Sequence, residues 1–328
     1  MEVNHVTADV ADQTGVSRLP ESTGNPTADR IVAALTGAFE AAFPGRVRGY
    51  YLRGSYATGT AVPGSDLDLF VVFKDRFQEP DEAERADRLR DDCAHASPVL
   101  LEAIVVSERR LREPSALALA LNLKLATRLV HGDDIRPALP EFDATAYVRA
   151  VVHAPYHSYA YPVQRRCAPL TYPLAHIDPS DEFYGYGQWS VPGPDGTPVP
   201  STKLLVGSVC WTATALVALR TGRYVADKRA SVELYRDQIG DEWTDLVVRV
   251  HQLCRDRWQY RLPDAEPDRG VLRELCDRAL DFQNHFLRAY RCYLLGELSS
   301  RVPDRQALAT RRLCQVQFPD PEVAAALQ

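Results

Sequence analysis

"RGSYATGTAVPGSDLDLFVV", residues 53–72, is the stretch on which the reading of this chain turns. An apolar run that reads as a strand opens with Asp66 and Asp68, one residue apart, behind a loop of Gly, Ser, Thr and Pro. On an extended chain the two acids share a face, about 6.6 Å apart by the strand rise. Leu67, Leu69 and Val71 then point the other way, into a core. Two ionised carboxylates on one face repel, and desolvating them is costly unless a cation lies between them. Magnesium suits such a place, because it takes one or two carboxylates and completes its shell with substrate phosphates. The loop supplies the phosphate side: Gly54 allows close backbone approach, Ser55 offers a hydroxyl and an N–H, and Gly59-Thr60 suits a second approach. The competing reading of Gly-Ser is a plain turn.

A third carboxylate follows. "VLLEAIVV", residues 99–106, reads as a strand with a single acid, Glu102. Such an acid lies at a strand end or is paired. If its strand neighbours that of Asp66 and Asp68, three carboxylates converge. That is the two-metal arrangement, in which ions about 3.5–4 Å apart clamp the attacking and leaving oxygens.

Working outward, residues 27–43 show apolar positions at helical spacing, with Thr27 as N-cap and Pro-Gly closing the helix. "VRGYYLR", residues 47–53, reads as a strand into Gly54. Residues 79–97 form a charged surface helix ended by Pro98. "SALALALNLKLATRLV", residues 115–130, reads as one helix capped by Ser115 and closed by His131-Gly132. This alternation makes a small α/β unit ending near residue 138. Residues up to about 26 are polar and aperiodic and read as a mobile tail.

The second half differs. Residues 156–200 are rich in Tyr and Pro, which argues against a regular helix there and for a long ordered loop. Beyond it only helices are expected: 204–220, 230–238, 242–257, 269–295 and 303–314. The longest apolar run, Leu204–Leu219, is broken by Gly, Ser and Thr and is short of the ~20 residues a membrane span needs. It reads as a buried helix.

A chain of 328 residues with 45% hydrophobic and 25% charged residues has the composition of a soluble globular protein of one or two domains. A formal net charge of −6 argues against a backbone-tracking nucleic-acid binder and suits small or cationic substrates. Cys93, Cys167, Cys210, Cys254, Cys276, Cys292 and Cys314 are odd in number and form no CxxC pair, so they read as reduced thiols of a cytoplasmic protein, not a zinc site. The N-terminus lacks the basic start and apolar core of a secretory signal.

Gly-Ser, Asp-x-Asp and a later acid on a further strand together resemble the signature of the polymerase-β nucleotidyltransferase superfamily. Within it, the layout is similar to the aminoglycoside adenylyltransferases. "NLKLATRLVHGDDI", residues 122–135, resembles their helix leading to a Tyr-Gly-x-Asp turn. "SVCWTATALVALRTGRYVADKRASVELY", residues 208–235, resembles their helix-turn-helix with a Thr-Gly turn before a phosphate-binding lysine. That family favours Ser before the lysine, where this chain has Asp227.

The resemblance implies an α+β catalytic domain with a small mixed sheet at 27–138 and an all-α domain at 139–328, with ATP and two magnesium ions in the cleft between them. It implies Asp66, Asp68 and Glu102 as metal ligands, Glu102 also as the base for an attacking hydroxyl, and Gly54, Ser55 and Lys228 as phosphate contacts. AMP would pass to an aminoglycoside-like acceptor with loss of pyrophosphate. A polycationic acceptor calls for acids and aromatic faces, which Asp178, Asp181, Glu182 and Trp189 in the Tyr/Pro-rich loop would provide. Adenylylation of a protein or tRNA, cyclic-oligonucleotide synthesis and a non-catalytic nucleotide-binding regulator remain as alternatives.

Overall fold

The computed structural model describes residues 22–164, 169–193 and 196–326. Most of the expected tail lies outside the described residues, but its last part is tied down. Thr23 N donates to Asp29 Oδ1 at 2.7 Å, and Thr23 is buried. The chain divides into two compact units, residues 1–61 with 65–140 and residues 62–64 with 141–328.

The first unit is built on a four-stranded mixed sheet. Helix α1, Pro26–Ala42, leads to strand β1, Val47–Arg53, and to a short helical turn α2, Gly54–Ala57. Then come β2, Leu67–Phe73, helix α3, Glu82–Ala96, and β3, Leu101–Ser107. Two short helices, α4 (Glu108–Leu111) and α5 (Leu117–Leu125), precede β4, Thr127–Gly132. The strand order is β3-β2-β1-β4, with β2 and β3 parallel and the other pairs antiparallel.

Alternation along β2 sorts the sheet's two faces. Leu67, Leu69, Val71 and Phe73 are fully buried and share a cluster with Val32, Leu35 and Phe39 of α1 and Ala86 of α3. Phe70 and Val72 belong to the opposite face, with Tyr51, Val106, Leu111 and Leu123. Asp68 shares that second face.

Three local expectations are corrected in this unit. The N-cap of α1 is Asn25, whose side chain accepts from Thr27 N and Ala28 N, so Thr27 lies inside the helix. The expected 115–130 helix ends at Leu125, and Thr127–Gly132 crosses to pair with β1. Leu and Ala favour a helix by intrinsic propensity, yet without β4 the edge of β1 would present unpaired N–H and C=O groups. Ser115 is not a helix cap; its hydroxyl accepts from Arg110 Nη1 at 2.6 Å.

The second unit is mainly helical. It runs through α6 (Ala144–Val151), α7 (Ala154–Gln164), α8 (Lys203–Thr221), α9 (Lys228–Gln238), α10 (Thr244–Arg249), α11 (Glu266–Leu298), α12 (Pro303–Leu313) and α13 (Pro321–Ala326). Helix α8 is its axis: Leu204–Cys210 and Thr212–Ala218 are all buried among α7, α9 and α11. It is the one described helix long and apolar enough to cross a membrane, and the surrounding helices bury it. Gly222, at φ +68°, closes it with a left-handed C-cap.

The expectations here need correcting too. Residues 154–164 are helical despite their prolines; Pro155 falls in the first turn, where an N–H has no partner to lose. Short strands occur where none were expected: β5 (Leu170–Thr171) with β8 (Val316–Gln317), and β6 (Ser190–Pro192) with β7 (Pro198–Pro200). The expected 242–257 helix changes at Val250 into a π-helix, Val250–Arg257. Cys93, Cys210, Cys254, Cys276, Cys292 and Cys314 carry unpaired thiols; Cys167 lies outside the described residues.

Tyr51 anchors the end of β4 to the sheet. Its fully buried hydroxyl donates to Asp133 O and accepts from Ile135 N, both at 2.9 Å. Burial pushes the phenol up to about 12, so it remains a donor at neutral pH. Tyr51→Phe leaves the buried Ile135 N–H and the Asp133 carbonyl without this partner. It should lower stability by about 1–3 kcal/mol, read as a shift of the urea unfolding transition.

Candidate active site

The carboxylates gather because of strand register. Asp68 stands opposite Arg53 on antiparallel β1 and opposite Glu102 on parallel β3. One rung across three strands therefore reads Arg–Asp–Glu, and all three side chains share a face. Glu102 is exposed, and its strand neighbours that of Asp68. Asp66 is the residue just before β2. Its charge lies near the Tyr56 phenol, which burial first and Asp66 second push upward.

The loop before β2 begins at the site. Gly54 ends β1 at φ +65°, and a Cβ there would come within 2.7 Å of Asp68 Oδ2. Only glycine combines that backbone conformation with that approach. The turn then closes on itself: Thr58 N donates to Gly54 O at 3.2 Å, and Thr60 N to Ser55 O at 2.8 Å. Buried Tyr56 pins it to the sheet, while Ser55 stays partly accessible.

Sequence reasoning missed Arg53. Its Nη2 and Nε donate to Asp68 Oδ1 at 3.0 and 3.3 Å. The pair is partly buried, with the carboxylate side chain 15% exposed. Only the register of β1 against β2 reveals it. Among the described residues no three His, Cys, Asp or Glu side chains are drawn together tightly enough to hold a metal ion. The donor chemistry of Asp66, Asp68 and Glu102 fits a hard divalent cation, with Arg53 now engaging the central acid.

The helical unit holds a separate concentration of charge. Lys228 opens α9, where Asp227 is the N-cap and accepts from Ala230 N at 2.8 Å. The Lys228 ammonium lies 5.7 Å from the centre of the Tyr260 ring, and that of Lys203, the first residue of α8, lies 5.5 Å from the same ring. Lys203 is 6% exposed and Tyr260 3%.

The backbone is bent to place that ring. The π-helix ends with Trp258 N donating to Leu253 O, and Gln259 and Tyr260 then both take left-handed φ values of 51° and 68°. Strain of this kind persists where the surroundings enforce it, and π-helical turns cluster at functional sites. Tyr260 O accepts from Thr202 N at 2.7 Å, locking the turn to the start of α8. Lysines in the first turn oppose the helix dipole, and burying them adds to the cost. Lys203 and Tyr260 were not singled out in the sequence; the scarcity of lysine was the signal available.

The acidic loop is largely self-satisfied. Asp178 Oδ1 accepts from Ser180 N and Oγ, and Asp181 Oδ2 accepts from Phe183 N and Gly185 N. Glu182 pairs with both Arg269 and Arg273, which hold its carboxyl below the usual range. Trp189 is half-buried against the helical core. A cavity of about 320 Å³ opens here, lined by Asp178, Asp181, Phe183, Gln188, Leu262 and Arg269 among others.

Residues 34–117 match the family described as the nucleotidyltransferase domain. The chain carries a nucleotidyltransferase domain. The match spans β1, the Gly54 turn, β2 and β3, and so contains every member of the Arg–Asp–Glu rung. No curated protein matches the chain. Among solved structures, it is similar to spectinomycin adenyltransferase AAD(9) from Enterococcus faecialis, solved with ATP and spectinomycin. The identity is 11% and the TM-score 0.47, over 77% of this chain and 98% of that one.

Gly54→Ala forces a side chain into a left-handed conformation and against Asp68. The change should cost about 1–2 kcal/mol in urea unfolding and displace the carboxylate the nucleotidyltransferase domain presents.

Proposed function

We propose that this nucleotidyltransferase moves AMP from ATP to a hydroxyl of a small acceptor and releases pyrophosphate. The observation that carries the reading is the rung in which Asp68 and Glu102 stand side by side behind the Gly54-Ser55 turn. Asp66, Asp68 and Glu102 would hold divalent magnesium, which when bound neutralises charge on the phosphate oxygens. Ser55, with the backbone at Gly54, would contact the phosphates. Glu102, the exposed member, would take the acceptor's hydroxyl proton, a contribution of roughly 10²–10⁴-fold. The acceptor oxygen bonds to the α-phosphorus as the bond to the bridging oxygen breaks, and the electron pair leaves with pyrophosphate.

In the helical unit, Lys228 is the proposed phosphate contact, with Lys203 beside it on the Tyr260 ring. Lys203→Met and Lys228→Met should each weaken pyrophosphate binding in calorimetry. Unchanged pyrophosphate affinity in both variants would reject this assignment.

The acceptor is proposed to be a small hydroxyl-bearing cation of the aminoglycoside kind, with Asp178, Asp181 and Glu182 lining its pocket and Trp189 in the same loop. The cavity volume lies within the usual range for small-molecule sites. The test is incubation with magnesium, α-labelled nucleotides and a panel of aminoglycosides, nucleic acids and proteins. Label should appear on a small molecule, and Asp66→Asn should abolish it. Normal labelling by Asp66→Asn would sink the metal-site reading. Label on RNA or protein would replace the acceptor class.

A further inference from the structure

The cation that Asp68 meets in this protein is supplied by the sheet itself. Arg53 is the last residue of β1, one position before the glycine turn. It reaches Asp68 through two nitrogens, and its guanidinium lies 6.0 Å from the centre of the Phe70 ring. Asp68 is thus engaged from two sides. Oδ1 accepts from Arg53, and Oδ2 faces the Gly54 Cα at a distance that excludes any side chain there.

Physical chemistry explains why a cation belongs here. Glu102 shares the rung with Asp68, and Asp66 lies two residues away. With all three ionised, their mutual repulsion destabilises the sheet end unless positive charge is near. A guanidinium is well suited, since its planar fork matches a carboxylate and its charge persists at any physiological pH. The same fork matches a phosphate equally well. A divalent ion bound to Oδ1 competes with Arg53 for the same oxygen and repels the guanidinium.

We infer that Arg53 is a resident counter-ion of this site. It holds Asp68 while the site is unliganded, yields Asp68 to the divalent ion, and then turns to the phosphate oxygens of the nucleotide. This rests on the proposed role of Asp68 as a metal ligand. Its consequence is coupling: the ion binds weakly alone, because it must break the Arg53–Asp68 pair, and tightly when a polyphosphate gives Arg53 a new partner. Coupling of this kind is reciprocal, so the ion also raises nucleotide affinity. Arg53 is a positioning residue here and takes no part in bond making.

A purely structural role makes a different forecast. The β1–β2 ladder already runs from Val47 opposite Phe73 to Arg53 opposite Asp68, so a tie at its end would add stability and nothing more.

Mn²⁺ binding to the full chain, measured by electron paramagnetic resonance with and without α,β-methylene-ATP, separates these. Arg53→Gln should bind Mn²⁺ about tenfold tighter than the parent without nucleotide, the scale of one charge-assisted hydrogen bond. The nucleotide analogue should then tighten Mn²⁺ binding less than it does in the parent. Arg53→Lys, which keeps the charge and loses the fork, should fall between. Arg53→Gln should also melt lower than the parent without metal, and Mn²⁺ should raise its melting temperature by more than the parent's.

Suppose instead that Asp68→Asn abolishes Mn²⁺ binding while Arg53→Gln binds no tighter than the parent. The counter-ion role is then wrong and the metal reading stands. A lower melting temperature that Mn²⁺ does not restore would reduce Arg53 to a strand tie. If Mn²⁺ binds the parent and Asp68→Asn alike, the metal reading fails and this inference with it.

Discussion

The register of β2 between β1 and β3 is the constraint on which the candidate site depends. Side chains alternate along a strand, so a slip of one residue would carry Asp68 into the core and Leu67 or Leu69 out of it. That slip is forbidden by the packing on both faces. Leu67, Leu69, Val71 and Phe73 are fully buried on the α1 and α3 side, and Phe70 and Val72 on the other. The apolar residues thereby determine where the charges stand. Arg53, Asp68 and Glu102 meet because the cores beneath them admit a single alignment.

Strand assignments and the acid pair were legible because they depend on local pattern. "VRGYYLR" reads as a strand and is β1 over those same residues, and "VLLEAIVV" overlaps β3. What was not legible is whatever depends on a partner distant in sequence. Thr127–Gly132 directly follows a Leu- and Ala-rich helix and is a strand because it pairs along the edge of β1. Arg53 reads as the polar end of a strand until its neighbour across the ladder is known to be Asp68. The π-helix over Val250–Arg257 has the periodicity of an ordinary helix, and only Gln259 and Tyr260 in left-handed conformations reveal the change of path.

Charge is concentrated at an energetic cost in each unit, with opposite sign. In the sheet unit, acids crowd one rung and an arginine relieves them. In the helical unit, Lys203 and Lys228 begin two helices, where the dipole disfavours them, and share one aromatic face.

The carboxylates of the acidic loop are already engaged within the loop and by neighbouring arginines. Asp178, Asp181 and Glu182 read as a surface for a polycation, yet each has a nearer task. Asp178 and Asp181 close turns by accepting backbone N–H bonds, and Glu182 is held by Arg269 and Arg273. Opposed by those two arginines, the three acids leave the loop with little net negative charge. Arg269 also packs over Phe183, 4.9 Å from the ring centre, so a guanidinium and an aromatic edge line the cavity together with the carboxylates.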